Sequence, residues 1–511
     1  MKILFISISY HKRETNLAID QLCGYLRSLS HEADPLYLDL NDLCESTLDA
    51  QILEYSIFGF SLYITNARLC YHLAEKIKQQ NPNAVICFGG IFTTQYYNYI
   101  LEDCLAVDYL ILGEGEEPIA VLLDTLSRGE VEQSHRSIVT RKLRQTPIPH
   151  VNALWKPYYI TDFYCRGIHN AILSISTRSN VCKNHCSFCF SPKSQMHMIN
   201  DIQELLSHVR EVISKYKVNE ITIYDNDFLD ATCPMNFEKA MMLCEALSHD
   251  ANDASLACFA TVHSFLALTK KEIDILKNAK FFSIYLGIEA GNSEDLLLYN
   301  KHATTEMNQA ALDMLREHSF FPEIGFINFN PLSTIKRLKE NYLFLKKNKC
   351  YNLETYLSRL HLYKFTPIYY RLVEEKVITD SYGYLDDQYT FVNAEVASLY
   401  AFLKANFIND SIFMKCNILH DKMRLYYQCL VRYPDLHFLE QSLQELVQHY
   451  HKVSFEFLDI LFLDNDVATS REKVSGFKSA LQELKPSLDL FGMKLAKECK
   501  KSDEKKRNVR A

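Results

Sequence analysis

A chain of 511 residues, 48% of them hydrophobic, is long enough to bury two or three separate cores. Its 55 basic and 63 acidic residues leave a formal net charge of −8, which excludes the electrostatic footprint of a nucleic-acid-binding protein; only the tail from Lys500 to Arg510 is basic, and it reads as a solvated end. The 16 cysteines are scattered rather than set in a dense framework, and no apolar run approaches the roughly 20 residues of a membrane span, so a cytoplasmic protein with free thiols and no membrane partner is expected.

From residue 1 to 130, short β-like runs alternate with amphipathic helical patterns. Strands are expected at Ile3 to Ile8, Ile57 to Ser61, Val85 to Phe88 and Val107 to Leu112, with helices near Asn16 to Leu29, Ala67 to Gln79 and Thr94 to Asp103. That alternation specifies an α/β fold, a doubly wound, flavodoxin-like parallel sheet covered by helices on both faces. Ligands of such sheets lie beyond the carboxyl ends of the strands, here Ser61 to Asn66 with Thr65, then Gly89 and Gly90, then Gly113, Glu114, Gly115 and Glu116. Glycine at these ends lets backbone approach a ligand, and it serves equally in a plain turn or helix entry.

Residues 131–165 read as a linker because the prolines of QTPIPHVN fix φ and remove donors, and Trp155 near its end reads as a docking contact. The strand-helix rhythm returns over 166–375. Strands are expected at Ala171 to Ser176, Glu220 to Tyr224, Leu256 to Thr261, Phe282 to Ile288, Glu323 to Phe329 and Leu357 to Phe365. Asp201 and Glu204 open a helix whose stripe is Ile202, Leu205, Leu206, Val209, Val212 and Ile213. Six parallel strands are too few for a full eight-stranded barrel, and the site of such a fold lies at the carboxyl ends of its strands. Residues 376–511 form a helical region whose stripes, Leu436 to Tyr450 and Phe477 to Leu488, read as packing surfaces.

The loop after the first strand of this second region carries Cys182, Cys186 and Cys189 as Cys-x-x-x-Cys-x-x-Cys, with Phe188 before the last. Three thiolates at this spacing converge on one iron-sulfur cluster and leave an iron without a protein ligand. A zinc knuckle is the alternative, but it wants a fourth ligand at motif spacing, and His185 lies inside the loop. Asp225, Asn226 and Asp227 follow the second strand, Glu289 follows the fourth in LGIEAGN, and Asn328 and Asn330 follow the fifth in GFINFNPLST. Capping and turn roles are open to the aspartates and asparagines, whereas a strand-end glutamate in an apolar segment needs a partner.

The cysteine loop and these segments resemble the radical S-adenosylmethionine (SAM) superfamily, and FGFSLYITN, FGGIFTT and LGEGEEP in the first region resemble the cobalamin-binding domain that precedes many of its cores. The resemblance implies a six-stranded partial (β/α)6 barrel and a 4Fe-4S cluster on Cys182, Cys186 and Cys189 as the catalytic centre. It places SAM against Phe188, Asp225, Asp227, Glu289 and Asn328. Cobalamin would lie against Ser61, Thr65, Gly89, Gly90, Gly113, Glu114 and Gly115. Residues 7–14 read SISYHKRE and lack the Asp-x-His-x-x-Gly of proteins that ligate cobalt, so cobalamin without a histidine from His11 is implied.

Carried to function, the resemblance implies a cobalamin-dependent radical SAM enzyme that methylates an unactivated carbon of a natural product or peptide. Its reduced cluster would cleave SAM to a 5'-deoxyadenosyl radical, with electrons from a flavodoxin or ferredoxin. A radical SAM cyclase, oxidase or rearrangement enzyme is the alternative within the family. A cobalamin or SAM sensor is the alternative of a different class, against which three intact cysteines argue. A methylthiotransferase would need three further clustered cysteines near the N-terminus, and Cys23, Cys44, Cys70, Cys87 and Cys104 are dispersed.

Overall fold

The computed structural model describes the chain except for residues 10–15, 40–51, 130–134, 143–145, 151–170, 178–181, 183, 191–201, 216–217, 250–253, 351, 380–382, 386–388, 409–417 and 511. His11, Cys44, Trp155 and Asp201 lie outside the described residues. The chain divides into two compact units, one of residues 1–180, 191–222 and 383–387, the other of residues 181–190, 223–382 and 388–511.

In the first unit, β1 (Lys2–Ser9), β2 (Glu32–Asp39), β3 (Ile57–Ser61), β4 (Val85–Gly89), β5 (Tyr109–Ile111) and β6 (Ile138–Val139) form a sheet in the order β2-β1-β3-β4-β5-β6. The first five strands are parallel and β6 runs antiparallel to β5. The connections are α1 (Leu17–Ser28), α2 (Ala67–Gln80), α3 (Ile91–Asp103) and α4 (Glu116–Ser127). This is the flavodoxin-like order, and its direction reverses between β1 and β3. Phe5, Ile19, Cys23, Leu26, Ile57 and Ile119 join one core from β1, α1, β3 and α4.

β2 carries Pro35 and was not expected from its pattern. Proline is tolerated there because β2 is the sheet edge, and Pro35 stands opposite Phe5. The stretch expected as a linker also supplies structure: β6 lies within it, and His150 forms a parallel bridge with Gly113. The same unit holds β7 (Ala171–Ile175), α5 (Ile202–Lys215) and β8 (Val218–Ile223), whose last residue falls in the second unit, and β7 and β8 are sheet neighbours. The apolar stripe of α5 is buried as expected, through Ile202, Leu205, Leu206, Val209 and Val212.

In the second unit, β9 (Ser255–Ala260), β10 (Phe281–Glu289) and β11 (Phe321–Phe326) are consecutive parallel strands. Around them lie α6 (Pro234–His249), α7 (Val262–Leu266), α8 (Lys270–Asn278), α9 (Ser293–Leu298), α10 (Thr305–Glu317), α11 (Ile335–Lys347), α12 (Leu353–Leu357), α13 (Pro367–Glu374) and α14 (Ala394–Leu403). The expected strand from Leu357 to Phe365 is reduced to one parallel bridge between Phe329 and Arg359. Asn352 accepts from the Glu354 N–H and caps α12, which ends at Leu357, where the extended run was expected to begin.

The helical C-terminal region contains α15 (Ile418–Arg432), α16 (Glu440–Phe462) and α17 (Val467–Arg510). Met423, Tyr427 and Val431 of α15 pack on Ala257, Phe282 and Phe321 of β9, β10 and β11. Arg424 of the same helix pairs with Glu323 at 2.9 Å. α15 therefore covers the back of the strands, while α16 and α17, which carry the expected stripes, pack on each other, with the Phe457 and Phe477 rings stacked 4.4 Å apart.

Two glycines with positive φ separate backbone freedom from close approach. Gly129, at φ 69°, has nothing within 4 Å of the point where a β-carbon would stand, whereas at Gly113, φ 80°, that carbon would lie 2.2 Å from the His150 carbonyl oxygen. Gly129→Ala is expected to cost about 1 kcal/mol, the left-handed penalty alone. Gly113→Ala is expected to cost about 3 kcal/mol or more, because backbone must move. Denaturant unfolding of the two variants checks the difference.

Candidate active site

The three cysteines lie in the second unit on a loop that Ser187 fastens. Its N–H donates to the Tyr299 carbonyl at 2.9 Å, its Oγ to the Leu298 carbonyl at 2.7 Å, and its carbonyl accepts from the Ile368 N–H at 3.0 Å. Asn300 Nδ2 adds a bond to the His185 carbonyl at 2.7 Å, and the Cys189 N–H closes a turn on the Cys186 carbonyl at 3.2 Å. The loop is thus fixed to the C-terminal end of α9 and the start of α13. Cys182 and Cys186 are half-buried and Cys189 is exposed. Burial pushes the Cys186 thiol up to about 11, opposed by the charge of Lys301, and burial also raises Cys182. Metal binding at such thiols must displace protons.

α9 is itself held at its start by a buried polar network. Asp295 is fully buried and accepts from Arg337, from Asn330 Nδ2 at 2.8 Å and from Asn292 Nδ2 at 2.6 Å. Asn341 Oδ1 takes the Gly291 N–H at 2.7 Å, and Arg337 also donates to the Leu332 carbonyl at 2.8 Å. Asn330 Nδ2 reaches the Tyr299 hydroxyl at 2.8 Å, so its side chain is committed within the protein. Phe188 is similarly engaged, its ring edge-on to Tyr299 at 5.6 Å within an apolar cluster.

Glu289 ends β10 at φ 65°, beyond a shift in the register with β11 between Gly287 and Glu289. Its carboxylate lies over two glycines: a β-carbon at Gly287 would stand 2.7 Å from Oε1, and one at Gly325 would stand 3.5 Å from Oε2. Lys301 Nζ is 3.5 Å from Glu289 Oε1, and both side chains are largely buried. Lys301 acts electrostatically on Cys182 and Cys186, and Glu289 on Cys186. Lys301 was not singled out from sequence; its only signal there is a basic residue twelve positions beyond the strand-end glutamate.

The remaining expected residues divide by how their polar atoms are used. Asp225 is fully buried. Asp227 accepts from the Thr261 N–H at 3.1 Å, from Thr261 Oγ1 at 2.9 Å and from Ser264 Oγ at 2.7 Å, so it organises the start of α7. Asn328 donates to the Tyr356 carbonyl at 2.7 Å, while its buried Oδ1 has no partner among the described residues. An orphaned buried acceptor fits a donor from a bound molecule. Partly exposed Phe259, Tyr285, Gly287 and Glu289 lie among buried neighbours on β9 and β10, and the Phe259 and Tyr285 rings lie 5.0 Å apart. Alternation along β10 puts Tyr285, Gly287 and Glu289 on one face.

In the first unit the carboxyl ends of β3 and β4 are joined by the Leu62 N–H donating to the Gly89 carbonyl at 3.0 Å. Thr93 and Thr94 at the start of α3 donate to the Gly89 and Gly90 carbonyls at 2.9 and 3.0 Å. Thr94 Oγ1 also accepts from the Gly113 N–H at 2.9 Å. Asn66 fastens the segment after β3 by accepting from the Tyr63 N–H at 2.7 Å and donating to the Ser61 carbonyl at 3.2 Å. Tyr63 and Thr65 are exposed above this shelf, and Gly89, Gly90, Glu114 and Gly115 are half-buried.

The glycines there do different things. Gly90, at φ 96°, lies against Leu62 backbone, and Gly113 lies against His150 backbone, so both are needed by the chain itself. Gly115 faces the Leu22 side chain. Gly89 is in ordinary contact only, its nearest neighbour 3.9 Å from a β-carbon. The shelf therefore fits a flat ligand, with Gly89 as the glycine whose small size the fold does not otherwise demand.

A model of the B12 binding domain matches residues 3–123, and one of the Radical SAM superfamily matches residues 176–341. The anaerobic magnesium-protoporphyrin IX monomethyl ester cyclase of Rubrivivax gelatinosus is 22% identical over 367 residues, covering 67% of this chain; the chain spans 65% of the cyclase's length. Among solved structures, the cobalamin-dependent SAM radical enzyme OxsB with aqua-cobalamin bound superposes with a TM-score of 0.67 at 16% identity, over 98% of this chain and 80% of that one. The radical SAM methyltransferase TsrM from Kitasatospora setae, with cobalamin and a [4Fe-4S] cluster bound, gives 0.57 at 14% identity, over 73% and 78%. At such identities the likeness establishes the fold.

The bonds to Asp227 make a structural role testable. Asp227→Asn is expected to lower stability by about 1–3 kcal/mol, because an amide cannot accept on both sides. SAM affinity of the folded variant is expected to stay unchanged. Weakened SAM binding at an unchanged melting temperature would return Asp227 to the ligand.

Proposed function

Because the chain belongs to the radical SAM enzymes that carry a B12-binding domain, with SAM, a 4Fe-4S cluster and cobalamin as cofactors, we propose that it methylates an unactivated carbon of a small natural product or peptide. The observation that carries this reading is the cysteine loop, fastened by Ser187 beside the buried Lys301 and Glu289 pair. Cys182, Cys186 and Cys189 hold the cluster as thiolates and leave one iron open. When bound, the cluster supplies the electron that cleaves SAM, and cobalamin supplies a transferable methyl group.

The chain's own residues bind and orient. Lys301 offers a charge-assisted bond to the SAM carboxylate and offsets the negative charge of three thiolates. Glu289 accepts from SAM hydroxyl or ammonium groups, held in place by its strained backbone and the two glycines beneath it. Asn328 Oδ1 and Asp225 are further acceptors for SAM. The half-open aromatic face of Phe259 and Tyr285 gives a substrate an apolar surface. Ser61, Thr65 and Gly89 border the cobalamin shelf, with the exposed Tyr63 above it. The structure shows no helix long and apolar enough to cross a membrane among the described residues. A flavodoxin or ferredoxin is the proposed electron source.

A second reading, cyclisation or oxidation without methyl transfer, is favoured by the match to a protein named as a cyclase over 67% of this chain. The two are separated by incubating the reduced protein anaerobically with methyl-labelled SAM and a cell extract. Label in a carbon-bound methyl of a new product supports methyl transfer; SAM-dependent substrate conversion without label supports the second reading. Cys186→Ala, lacking the cluster, is the control. Lys301→Met is expected to keep the cluster and weaken SAM binding about 10- to 100-fold. Unchanged SAM affinity in both Lys301→Met and Glu289→Gln would remove the pair from the SAM site.

The shelf supplies its own test. Gly89→Val is expected to retain the fold and the cluster yet lose cobalamin, since a β-carbon there meets only ordinary contacts within the chain. Cobalamin retained in full by Gly89→Val, measured by absorbance after desalting, would place the cofactor elsewhere.

A further inference from the structure

Away from the cysteine loop, the first unit gathers a second set of metal-ligating side chains. Glu117 on the first turn of α4, His135 before β6 and His150 after it place one ligand atom each within 4.8 Å of one another. His150 Nε2 lies 3.2 Å from Glu117 Oε2, and His135 Nε2 lies 4.0 Å from Glu117 Oε1. The two rings are edge-to-face at 5.1 Å. Two ligands about 2.1 Å from a tetrahedral zinc ion stand about 3.4 Å apart. His150 Nε2 and Glu117 Oε2 are already near that separation, and the three ligand atoms, all within 4.8 Å of one another, have to close by at most about 1.4 Å.

Each ligand is positioned by something other than a metal. His150 is pinned through its backbone, its N–H donating to the Leu112 carbonyl and its carbonyl accepting from the Glu114 N–H, both at 2.9 Å. Ser137, itself fully buried, sets its Oγ 2.6 Å from His135 Nδ1 and so leaves Nε2 to face Glu117. Nδ1 also accepts from the Ser137 N–H at 3.3 Å; ligation through Nε2 asks Nδ1 to donate to Ser137 Oγ instead, as the second ring nitrogen of metal-binding histidines does. The imidazoles are about four-fifths buried and Glu117 is half-exposed, which leaves an open side for water as the fourth ligand.

We infer that Glu117, His135 and His150 form a binding site for a divalent transition metal ion of the zinc type, separate from the iron-sulfur centre. Binding takes neutral His135 in the tautomer whose single ring proton sits on Nδ1 and is donated to Ser137 Oγ, so that the Nε2 lone pair faces the ion and no net proton leaves the ring. The ion ties the returning segment 135–150 to the loop after β5, where Gly113 and Glu114 pair with His150. Its role is a clamp on one wall of the shelf at the strand ends. No reaction is assigned to it.

The test uses the full chain with its cluster reconstituted. After equilibration with zinc sulfate and desalting, zinc and iron are measured separately by mass spectrometry. About one zinc ion per chain beyond that retained by His150→Gln or Glu117→Gln is expected, with iron equal in all three. X-ray absorption at the zinc edge is expected to show nitrogen and oxygen neighbours. Ser137→Ala, which removes no ligand atom, is expected to weaken zinc binding about tenfold or more at an unchanged iron content. Equal zinc in wild type and ligand variants, or sulfur as the zinc neighbour, overturns the inference, because free thiols would then hold the metal.

Discussion

The position of the cysteine loop depends on one buried carboxylate. Asp295 has no solvent to stabilise its charge, so it draws Arg337, Asn292 and Asn330 onto itself. Those partners come from the turn after β10, the turn after β11 and the start of α11, so one charge gathers three segments. The price of burying it is offset only with all partners in place, and removing one side of such a pair typically costs about 3–5 kcal/mol. From Asp295 the order passes along α9 to Leu298 and Tyr299, whose carbonyls hold Ser187. A loop with little regular structure of its own is thereby given a fixed place beside Glu289 and Lys301.

The two units solve the problem of presenting backbone to a ligand differently. In the first, glycines at strand ends are mostly required by the chain: Gly113 admits His150 and Gly90 admits Leu62. In the second, glycines admit a side chain: Gly287 makes room for the carboxylate of Glu289 and Gly325 for the Tyr285 side chain. Glycine in a sequence signals close approach without saying of what. Backbone, side chain and ligand all leave the same mark.

That ambiguity explains how much was legible beforehand. Alternation of apolar runs and helical stripes gave the order of elements, because burial of a sheet on both faces imposes that pattern. β2 was not legible, since Pro35 and its flanking charges suit an edge strand and an irregular segment equally. The run from Leu357 to Phe365 looked extended, yet a short helix capped by Asn352 takes its first residue and the remainder pairs only through the Phe329 and Arg359 bridge. At the site, the cysteines were legible because their spacing carries chemistry. Asp227 and Asn330 were not separable from ligand contacts, since their partners, Thr261, Ser264, Asp295 and Tyr299, come from other elements. Lys301 was missed for the same reason.

Glu289 holds a left-handed backbone conformation, φ 65°, that a side-chain-bearing residue adopts at a cost of about 1–3 kcal/mol. Glycine there would relieve that strain but leave the largely buried Lys301 without its carboxylate, so the two effects oppose each other. A strain-relieving substitution at this position therefore exchanges one cost for another instead of yielding a hardier protein. Stability engineering of this chain has to hold position 289 fixed from the outset.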